Sequence, residues 1–277
     1  MSKQVKQLED VLGVRLLHRT TRGVSLTDAG ELYVDEAVRI LQKVEDIEGS
    51  VSALSAGPRG VLRVSSPPAF GRTVLTPIIS DFVHENPELR IELGLQNDEP
   101  NVVASRLDVI FRLGRLRDSS LVGKQVGTAP FVVCASPSYL EQAGYPKNLS
   151  ELSHYNCVVD GSMQNESDSW SFIDDKQIVV AQTVGGNFFS YNTGAVVEAT
   201  IKGLGIAYVP TYAVVGELLA KELVELSFDN IKPKVEPLYA LYASREHIAG
   251  KIRKFLDFFT ANVGADSGML GAIVPSL

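Results

Sequence analysis

Short elements in the first thirty residues constrain the fold of this chain more than any other feature. Apolar side chains recur there at helical spacing, at Val5, Leu8, Val11 and Leu12. Because residues at this spacing share one face, we expect a short amphipathic helix that ends at Gly13.

A β-hairpin is predicted directly after that helix. Val14 to Leu17 has the composition of a strand, His18 to Gly23 is a polar turn, and Val24 to Leu26 is a returning strand. Thr27 is then a favourable N-cap for the next helix. A helix, a hairpin and a second helix in this order indicate the later part of a winged helix-turn-helix.

This end of the chain is basic, although the whole chain carries a net charge of −7. Residues 1–24 contain five Lys or Arg and two Asp or Glu, which gives a local charge of +3. Lys, Arg and Gln side chains reach phosphates and base edges, so such a patch favours nucleic-acid binding. An ordinary solvated helix and surface hairpin would show the same charges, and charge alone does not separate the two. The candidate DNA contacts are Ser2, Lys3, Gln4, Lys6, Gln7, Arg19 and Arg22.

The same segment resembles the LysR-type transcriptional regulators in several short motifs. Ser2 to Glu9 matches the family's recognition-helix pattern Ser-Arg/Lys-Gln-Ile/Val-x-x-Leu-Glu, Leu12 to Arg19 matches its wing, and Leu26 to Gly30 matches its Leu-Thr-x-Ala-Gly motif. The resemblance extends, more weakly, to about residue 262. It implies a DNA-binding transcriptional regulator that is controlled by a small-molecule effector.

The resemblance also implies a departure at the amino end. Family members have a first helix, a second helix and a turn ahead of the recognition helix, and these are not found before Ser2. The apolar face of residues 5–12 then lacks the helices on which it should pack, and an isolated helix this short is marginal in water. We therefore expect this chain to bind operator DNA poorly, whether its start is misplaced or it is a true truncation.

A long helix with a heptad seam is predicted over residues 31–57. Apolar side chains alternate there at spacings of four and three residues, which is the pattern of a coiled coil, and Ala56 to Gly60 breaks the helix. Packing against its own domain is the alternative, but the resemblance implies that this linker helix pairs subunits into a homodimer or homotetramer. The predicted seam consists of Tyr33, Ala37, Ile40, Val44, Ile47, Val51 and Leu54.

From Val61 onward strands alternate with helices, which favours parallel sheets flanked by helices in an α/β fold. The resemblance implies two subdomains like those of a type 2 periplasmic binding protein, with a ligand cleft between them. We expect the chain to cross between the subdomains near Ala135 and near Pro237. The expected units are residues 1–30 (partial winged helix-turn-helix), 31–57 (linker and dimerisation helix), 61–135 with 238–263 (effector subdomain I), 136–237 (effector subdomain II) and 264–277 (an unpatterned tail).

Side chains at the predicted strand ends form the candidate effector site. Ligands of open α/β sheets lie beyond the carboxyl ends of the strands, near helix N-termini. Hydroxyls at Ser65 and Ser66 suit an anion, and Arg112 at another strand end can pair with a carboxylate. The candidates are Ser65, Ser66, Asn97, Asp98 and Arg112 from the first half, with Phe188, Ser190, Tyr191, Asn192 and Pro210 from the second.

Two of these residues have structural alternatives. Ser66 can serve as a simple helix cap, and Arg112 can form a structural ion pair with Asp98 or Asp118. A small carboxylate-bearing or aromatic metabolite is the expected effector. A negative charge at Asp98 would repel an anion unless it is paired, so an amino acid or a polyol stays open as well.

The sequence disfavours an enzyme. It contains no Gly-x-Ser-x-Gly elbow and no His-Glu-x-x-His pattern, and Gly203-Leu-Gly205 follows a predicted helix instead of opening one. Scattered histidines suggest no metal site, and no cofactor is expected. Cys134 and Cys157 are expected to be buried thiols, with a redox pair as the alternative.

Two other functions compete with transcriptional regulation. A solute-binding protein of a transport system is disfavoured by the heptad helix and by the polar amino end, which has no signal-peptide pattern. No apolar run indicates a membrane partner, so we expect a cytoplasmic protein. The second alternative is an effector-binding and dimerising module that does not bind DNA.

Overall fold

The computed structural model describes residues 2–20, 23–37, 40, 41, 44, 59–97, 107–114, 116, 121–162, 169–242 and 250–263. Helix α1 (Ser2–Leu12) opens the chain, and Gly13 ends it with a φ of 70°, as predicted. Strands β1 (Leu17–Thr20) and β2 (Gly23–Leu26) pair antiparallel. The α1 helix and this hairpin together form the amino-terminal head.

The predicted bounds of the first hairpin strand are wrong. It was expected over Val14 to Leu17, but it begins at Leu17 and includes His18 to Thr20, which were predicted as turn. The cause lies in Glu9, whose Oε1 accepts hydrogen bonds from the backbone N–H groups of Leu16 (2.7 Å) and Leu17 (3.1 Å). Residues 14–16 therefore connect α1 to the hairpin instead of pairing in it.

Helix α2 follows the hairpin, with residues 28–37, 40, 41 and 44 helical. Its predicted N-cap is confirmed, because Oγ1 of Thr27 accepts a hydrogen bond from the backbone N–H of Gly30 at 3.0 Å. The same hydroxyl donates to the carbonyl of Arg15 at 2.7 Å, which fixes α2 to the head. The later seam positions Ile47, Val51 and Leu54 lie outside the described residues, as do Ala56 to Pro58 of the predicted helix break.

Lobe I is built on a mixed five-stranded sheet with the order β4-β3-β5-β15-β6. Strands β3, β4 and β5 run parallel, as the alternation of strands and helices predicts, whereas β15 is antiparallel to both β5 and β6, so the sheet is mixed. The antiparallel pairs arise because β15 returns from the other half of the chain. The strands are β3 (Gly60–Ser66), β4 (Leu89–Leu95), β5 (Val109–Leu113), β6 (Val122–Ala129) and β15 (Glu236–Tyr242).

Two helices cover the lobe I sheet. Helix α3 comprises Pro68–Phe70, a π-helical stretch Gly71–Leu75, and Thr76–Glu85. The sequence predicts this helix over about Thr73 to His84, but it starts at Pro68 because proline is tolerated in the first turn of a helix. Helix α7 (Gly250–Val263) closes the lobe. The sequence also predicts a cap at Ser244 for this helix and a short helix from Asp98 or Pro100 to Leu107, and both fall largely outside the described residues.

Lobe II contains a second five-stranded sheet, with the order β11-β8-β12-β7-β13, and a three-stranded sheet with the order β10-β9-β14. The first crossover lies at Pro130 instead of near Ala135, because β7 pairs with β12 and β13 of this sheet. The second crossover precedes Glu236, close to the predicted place. The strands are β7 (Phe131–Ala135), β8 (Cys157–Asp160), β9 (Ser169–Asp174), β10 (Val179–Thr183), β11 (Phe188–Ser190), β12 (Ile206–Pro210), β13 (Val224–Glu225) and β14 (Ile231–Pro233).

The helices of lobe II follow the sequence signals closely. The sequence predicts a helix over Pro137 to Ala143 and a later helix capped by Asn192 or Thr193. Helix α4 (Pro137–Ala143) has these bounds, and helix α5 (Thr193–Ile201) is capped by Asn192. The sequence also predicts one helix over Thr211 to Ala220, and this prediction is wrong. A 3-10 turn (Thr211–Ala213) precedes helix α6 (Val215–Leu219), because Val214, with a φ of −132°, interrupts the helical backbone.

Aromatic packing joins α3, the lobe I sheet and α7, and it continues into lobe II. The ring centroids of Phe111 and Phe259 lie 4.8 Å apart, and Phe70 of α3 meets Tyr212 of lobe II at 5.6 Å. The predicted α/β fold with two lobes is confirmed. Within the described residues, no helix is long and apolar enough to cross a membrane.

Candidate effector cleft and DNA-binding face

The lobe I side of the candidate cleft begins at the carboxyl end of β3. Ser65 and Ser66 are both fully buried there. Nε2 of Gln96 donates to Oγ of Ser65 at 3.3 Å, and Oγ of Ser66 donates to the carbonyl of Pro67 at 3.1 Å. Pro67 is the N-cap residue of α3, and no side chain caps that helix, so the helix-cap alternative for Ser66 is wrong.

Gly71 in the π-helical stretch of α3 explains why the helix can pass so close to the strand ends. A Cβ at this position would lie 2.5 Å from Oγ of Ser66 and 2.2 Å from Cδ2 of Leu95. Only glycine therefore fits at this contact, which holds the start of α3 against the carboxyl ends of β3 and β4.

Among the described residues, a hydrogen bond joins predicted site residues of the two lobes. Nδ2 of Asn97, just beyond the end of β4, donates to the backbone carbonyl of Tyr191, just beyond the end of β11. Asp98, the neighbouring candidate, lies outside the described residues. The bond brings the strand ends of both lobes together where the sequence predicted the effector cleft.

The lobe II candidates are largely engaged in local structure. Oδ1 of Asn192 accepts from the backbone N–H of Ala195 at 3.2 Å as the cap of α5, and Oγ of Ser190 accepts from the N–H of Asn192 at 3.1 Å. Phe188 packs against the core and Pro210 is buried at the end of β12. Tyr191 is different, since its side chain is 69% exposed and its ring meets that of Phe189 edge-on at 4.9 Å.

Arg112 lies on β5 opposite Tyr239 of β15, on the sheet face opposite to that of its neighbour Phe111. Its Nη1 donates to the carbonyl of Phe111 at 3.2 Å. Both predicted ion-pair partners, Asp98 and Asp118, are outside the described residues. Its role as a carboxylate ligand therefore stays a prediction.

Asp160, at the carboxyl end of β8, is a candidate that sequence reasoning missed. Its Oδ1 accepts from the backbone N–H of Ser162 at 2.9 Å, whereas its buried Oδ2 has no hydrogen-bond partner within the described part of the chain. Burial raises the pKa of this carboxyl group, and the nearby hydroxyls of Ser162 and Thr193 offset the rise in part. The signal was available, because Asp160 ends a predicted strand just as Ser66 does.

The candidate DNA-binding face presents the predicted polar side chains on α1. Lys3, Gln4, Lys6 and Gln7 are all exposed. Helix α1 begins at Ser2 and strand β1 contains Arg19, while Arg22 lies outside the described residues.

The apolar side of α1 has little cover. Val5 and Leu8 are half-buried, but Val11 is 82% exposed and Leu12 is 41% exposed. The helix contacts the hairpin through Glu9 and leaves much of its apolar face to solvent.

The two cysteines lie on opposite faces of the lobe II sheet. Cys134 faces the larger core, which also contains Ala207, and Cys157 faces the smaller one. Because the two thiols lie in separate cores on opposite faces of the sheet, they cannot pair with each other, and the redox-pair alternative is wrong. Burial also raises the pKa of each thiol to about 12. No group of three His, Cys, Asp or Glu residues within the described ranges is arranged to hold a metal ion.

Sequence comparison finds two regions of this chain in known protein families. The profile of the "Bacterial regulatory helix-turn-helix protein, lysR family" matches residues 1–31, and that of the "LysR substrate binding domain" matches residues 55–264. The HTH-type transcriptional activator AaeR of Escherichia coli K12 is 32% identical over 260 residues, which cover 94% of this chain and 83% of AaeR. The HTH-type transcriptional regulator CrgA of Neisseria meningitidis serogroup C is 31% identical over 272 residues, which cover 95% and 87%.

Solved structures show the same similarity in three dimensions. CrgA, a LysR-type transcriptional regulator from Neisseria meningitidis, matches with a TM-score of 0.67 at 30% identity, covering 95% of this chain and 88% of that chain. The full-length virulence activator AphB of Vibrio cholerae matches with a TM-score of 0.65 at 27% identity, covering 94% and 88%. These relatives are transcriptional regulators, not enzymes.

Proposed function

This chain belongs to the LysR family of bacterial transcriptional regulators, and we propose that a small-molecule effector bound between its two lobes controls its action on DNA. Binding in the cleft changes how lobes I and II sit together, and the linker helix α2 carries that change to the DNA-binding head. The proposed effector site consists of the predicted cleft residues Ser65, Ser66, Asn97, Asp98, Arg112, Phe188, Ser190, Tyr191, Asn192 and Pro210.

The hydrogen bond from Asn97 to the carbonyl of Tyr191 carries this proposal. It links residues that follow strand ends in different lobes, and ligands of α/β proteins bind at such carboxyl ends. A ligand that enters here competes with this bond or extends it. In either case it has a direct means of altering the contact between the lobes.

A metabolite screen by thermal shift, followed by calorimetry, tests the effector site. Asn97→Ala is expected to change the affinity for any stabilising compound by about tenfold, the size of one hydrogen-bonded contact. Asn262→Ala is the matched control, because Nδ2 of Asn262 likewise donates to a backbone carbonyl, that of Phe258 at 2.9 Å, but on α7. Equal affinities of both variants and the parent protein would contradict the proposed site.

For the head we propose DNA contacts through Ser2, Lys3, Gln4, Lys6, Gln7, Arg19 and Arg22, made productively only when the apolar face of α1 is covered. The exposure of Val11 and Leu12 supports this condition. A polypeptide of these 277 residues alone should then bind operator DNA weakly. The same observation favours a second candidate function, an effector-binding and dimerising module without DNA binding.

Fluorescence anisotropy with promoter DNA separates the two candidate functions. The 277-residue chain is compared with the same chain preceded by the two amino-terminal helices of a family member. Salt-dependent binding that appears only in the extended protein supports the first candidate. Salt-dependent nanomolar binding by the unextended chain would contradict the proposed weakness, and no binding by either form would favour the second.

We also propose that α2 pairs two subunits through its heptad seam, in a homodimer or a homotetramer. Tyr33, Ile40 and Val44 of the seam are 36%, 62% and 45% exposed in the single chain, so apolar surface is present for a partner helix. The proposed partners of the whole protein are double-stranded DNA and a metabolite. We therefore place the activity of this protein in the cytoplasm.

A further inference from the structure

Asp160 is the most unusual polar residue in the described part of the cleft region. Among the described residues, its Oδ2 is the one buried side-chain oxygen or nitrogen without a hydrogen-bond partner. Buried carboxylate oxygens are normally paired, and an orphan carries a free-energy cost that needs an explanation. Helix capping does not explain it, because the cap of α5 is Asn192.

Asp160 lies at a sheet edge of lobe II that is close to lobe I. Strand β8 lies between β11 and β12, both parallel to it, so the carboxyl ends of the three strands share one edge. The charge of Asp160 acts on Tyr212, raising the pKa of that phenol further above the rise caused by burial. The Tyr212 ring in turn meets Phe70 of lobe I.

Among the described residues, the surroundings of Asp160 supply hydrogen-bond donors but no positive charge. The described groups that favour its ionised form are the hydroxyls of Ser162 and Thr193 and the backbone N–H of Ser162, and none of them is Lys or Arg. The two hydroxyls also lie 3.2 Å from each other and can satisfy one another. A donor that also carries positive charge would therefore complement Oδ2 better than a neutral donor.

We propose that Asp160 is an effector-binding residue whose Oδ2 accepts a hydrogen bond from a cationic nitrogen, an ammonium or amidinium group, of the ligand. This inference rests on the proposed effector cleft and names the chemical class of one end of its ligand. The aromatic neighbours Phe70 and Tyr212 suit an apolar or aromatic frame next to that group. Burying Oδ2 without a partner lowers the stability of the ligand-free protein. This loss is expected at a binding site whose hydrogen bonds are completed only by the ligand.

Three probes test the proposal: benzylammonium, benzyl alcohol and benzoate. Each has a phenyl ring with one attached carbon, and they differ in the polar group on that carbon. Their dissociation constants are measured by ligand-observed NMR. The parent protein is expected to bind benzylammonium at least about tenfold more tightly than the other two, because a charge-assisted hydrogen bond to a buried carboxylate is worth that much. Asp160→Asn keeps the shape and an oxygen for the N–H of Ser162, and it is expected to abolish the preference.

Asp174→Asn is the matched control. Oδ1 of Asp174 accepts backbone N–H bonds from Lys176 and Ile178, much as Oδ1 of Asp160 accepts one, but Asp174 ends β9 in the separate three-stranded sheet. This variant should keep the preference for benzylammonium. Loss of the preference in both variants, or in neither, would overturn the proposal.

The stability of the ligand-free protein gives a second readout. Asp160→Asn is expected to raise Tm, because a neutral amide costs less to bury than an unpaired carboxylate. A lower Tm would mean that Oδ2 has a partner within the protein, which would overturn the proposal. Preference for benzoate, or no binding of any probe at millimolar concentration, would overturn it as well, while the proposed function is judged separately by the Asn97→Ala test.

Discussion

Gly30, at the start of α2, allows this helix to lie very close to the backbone of the head. A Cβ at this position would lie 2.0 Å from the carbonyl oxygen of Leu16, the buried leucine beside the hairpin. Gly30→Ala should therefore force the helix and hairpin apart and destabilise the head by about 1–3 kcal/mol, the usual cost of overpacking. Hydrogen exchange of the β1 and β2 amides measures this.

Gly216→Ala is the control for that substitution. Gly216 lies in α6, and a Cβ there would have no atom within 4 Å. Alanine should be tolerated or slightly stabilising at this position, since it lowers the entropy of the unfolded chain. Unchanged exchange of the hairpin amides in Gly30→Ala would contradict the close contact between Gly30 and Leu16.

The buried thiols of the two cysteines lead to a second prediction at the residue scale, which concerns pH dependence and reactivity. Burial raises the thiol pKa of Cys134 and of Cys157 from 9.0 to about 12. The folded protein thus holds these protons more tightly than the unfolded chain, so their contribution to stability is complete below pH 9 and is lost as the pH rises toward 12. At pH 8 a thiol reagent such as DTNB should react with the unfolded chain and hardly at all with the native one. Rapid reaction of native protein would be inconsistent with this burial.

Among the helices, α7 is held to lobe I by a buried ion pair. Nζ of Lys251 lies 3.2 Å from Oδ1 of Asp108 and donates to the carbonyl of Val61 at 2.8 Å, while Oδ2 of Asp108 accepts from the N–H of Arg63 at 2.8 Å. Lys251→Met leaves the carboxylate buried without this cation, so the free energy of unfolding should fall by roughly 3 kcal/mol in urea denaturation.

A second substitution separates charge loss from packing loss at this pair. Asp108→Asn in the Lys251→Met background keeps an oxygen for the N–H of Arg63 and removes the buried charge that Lys251 had paired. The double variant should recover most of the lost stability, since a buried ion pair replaced as a whole is often near neutral. If the double variant is less stable than Lys251→Met, the ion pair is not what anchors α7.

The linker helix α2 carries the prediction about subunit pairing. Ile40 lies on the proposed seam and Leu41 lies beside it, and their exposed fractions are nearly equal, 62% and 61%. Ile40→Lys should weaken dimerisation in sedimentation velocity by at least about tenfold, whereas Leu41→Lys should leave it nearly unchanged. Equal effects of the two substitutions would contradict the heptad register.

For the chain as a whole, the sequence predicted best the features that depend on local signals. The caps Thr27 and Asn192 and the helix stop at Gly13 could be predicted because each depends on residues within one turn. The crossover at Pro130 could not, because an apolar strand such as Phe131–Ala135 carries no local mark of the sheet that it joins.

The candidate site shows the same division. Its place at the strand ends follows from the βα alternation, and the Asn97 to Tyr191 bond lies where that alternation predicted. The partner of each side chain depends on packing between distant segments, which no spacing in the sequence encodes. The strand-end position of Asp160 could therefore be predicted, but the burial that leaves its Oδ2 without a partner appears only in the folded protein.

Hydrogen-exchange mass spectrometry tests the central claim most directly, that a ligand bound between the lobes couples them. The protein is measured with and without the compound that most raises its Tm. Protection is expected in both lobes at once, in the segments that contain Ser65 to Gly71, Gln96 and Asn97, and Phe188 to Ala195. Protection confined to a single lobe, or located away from these strand ends, would contradict the account.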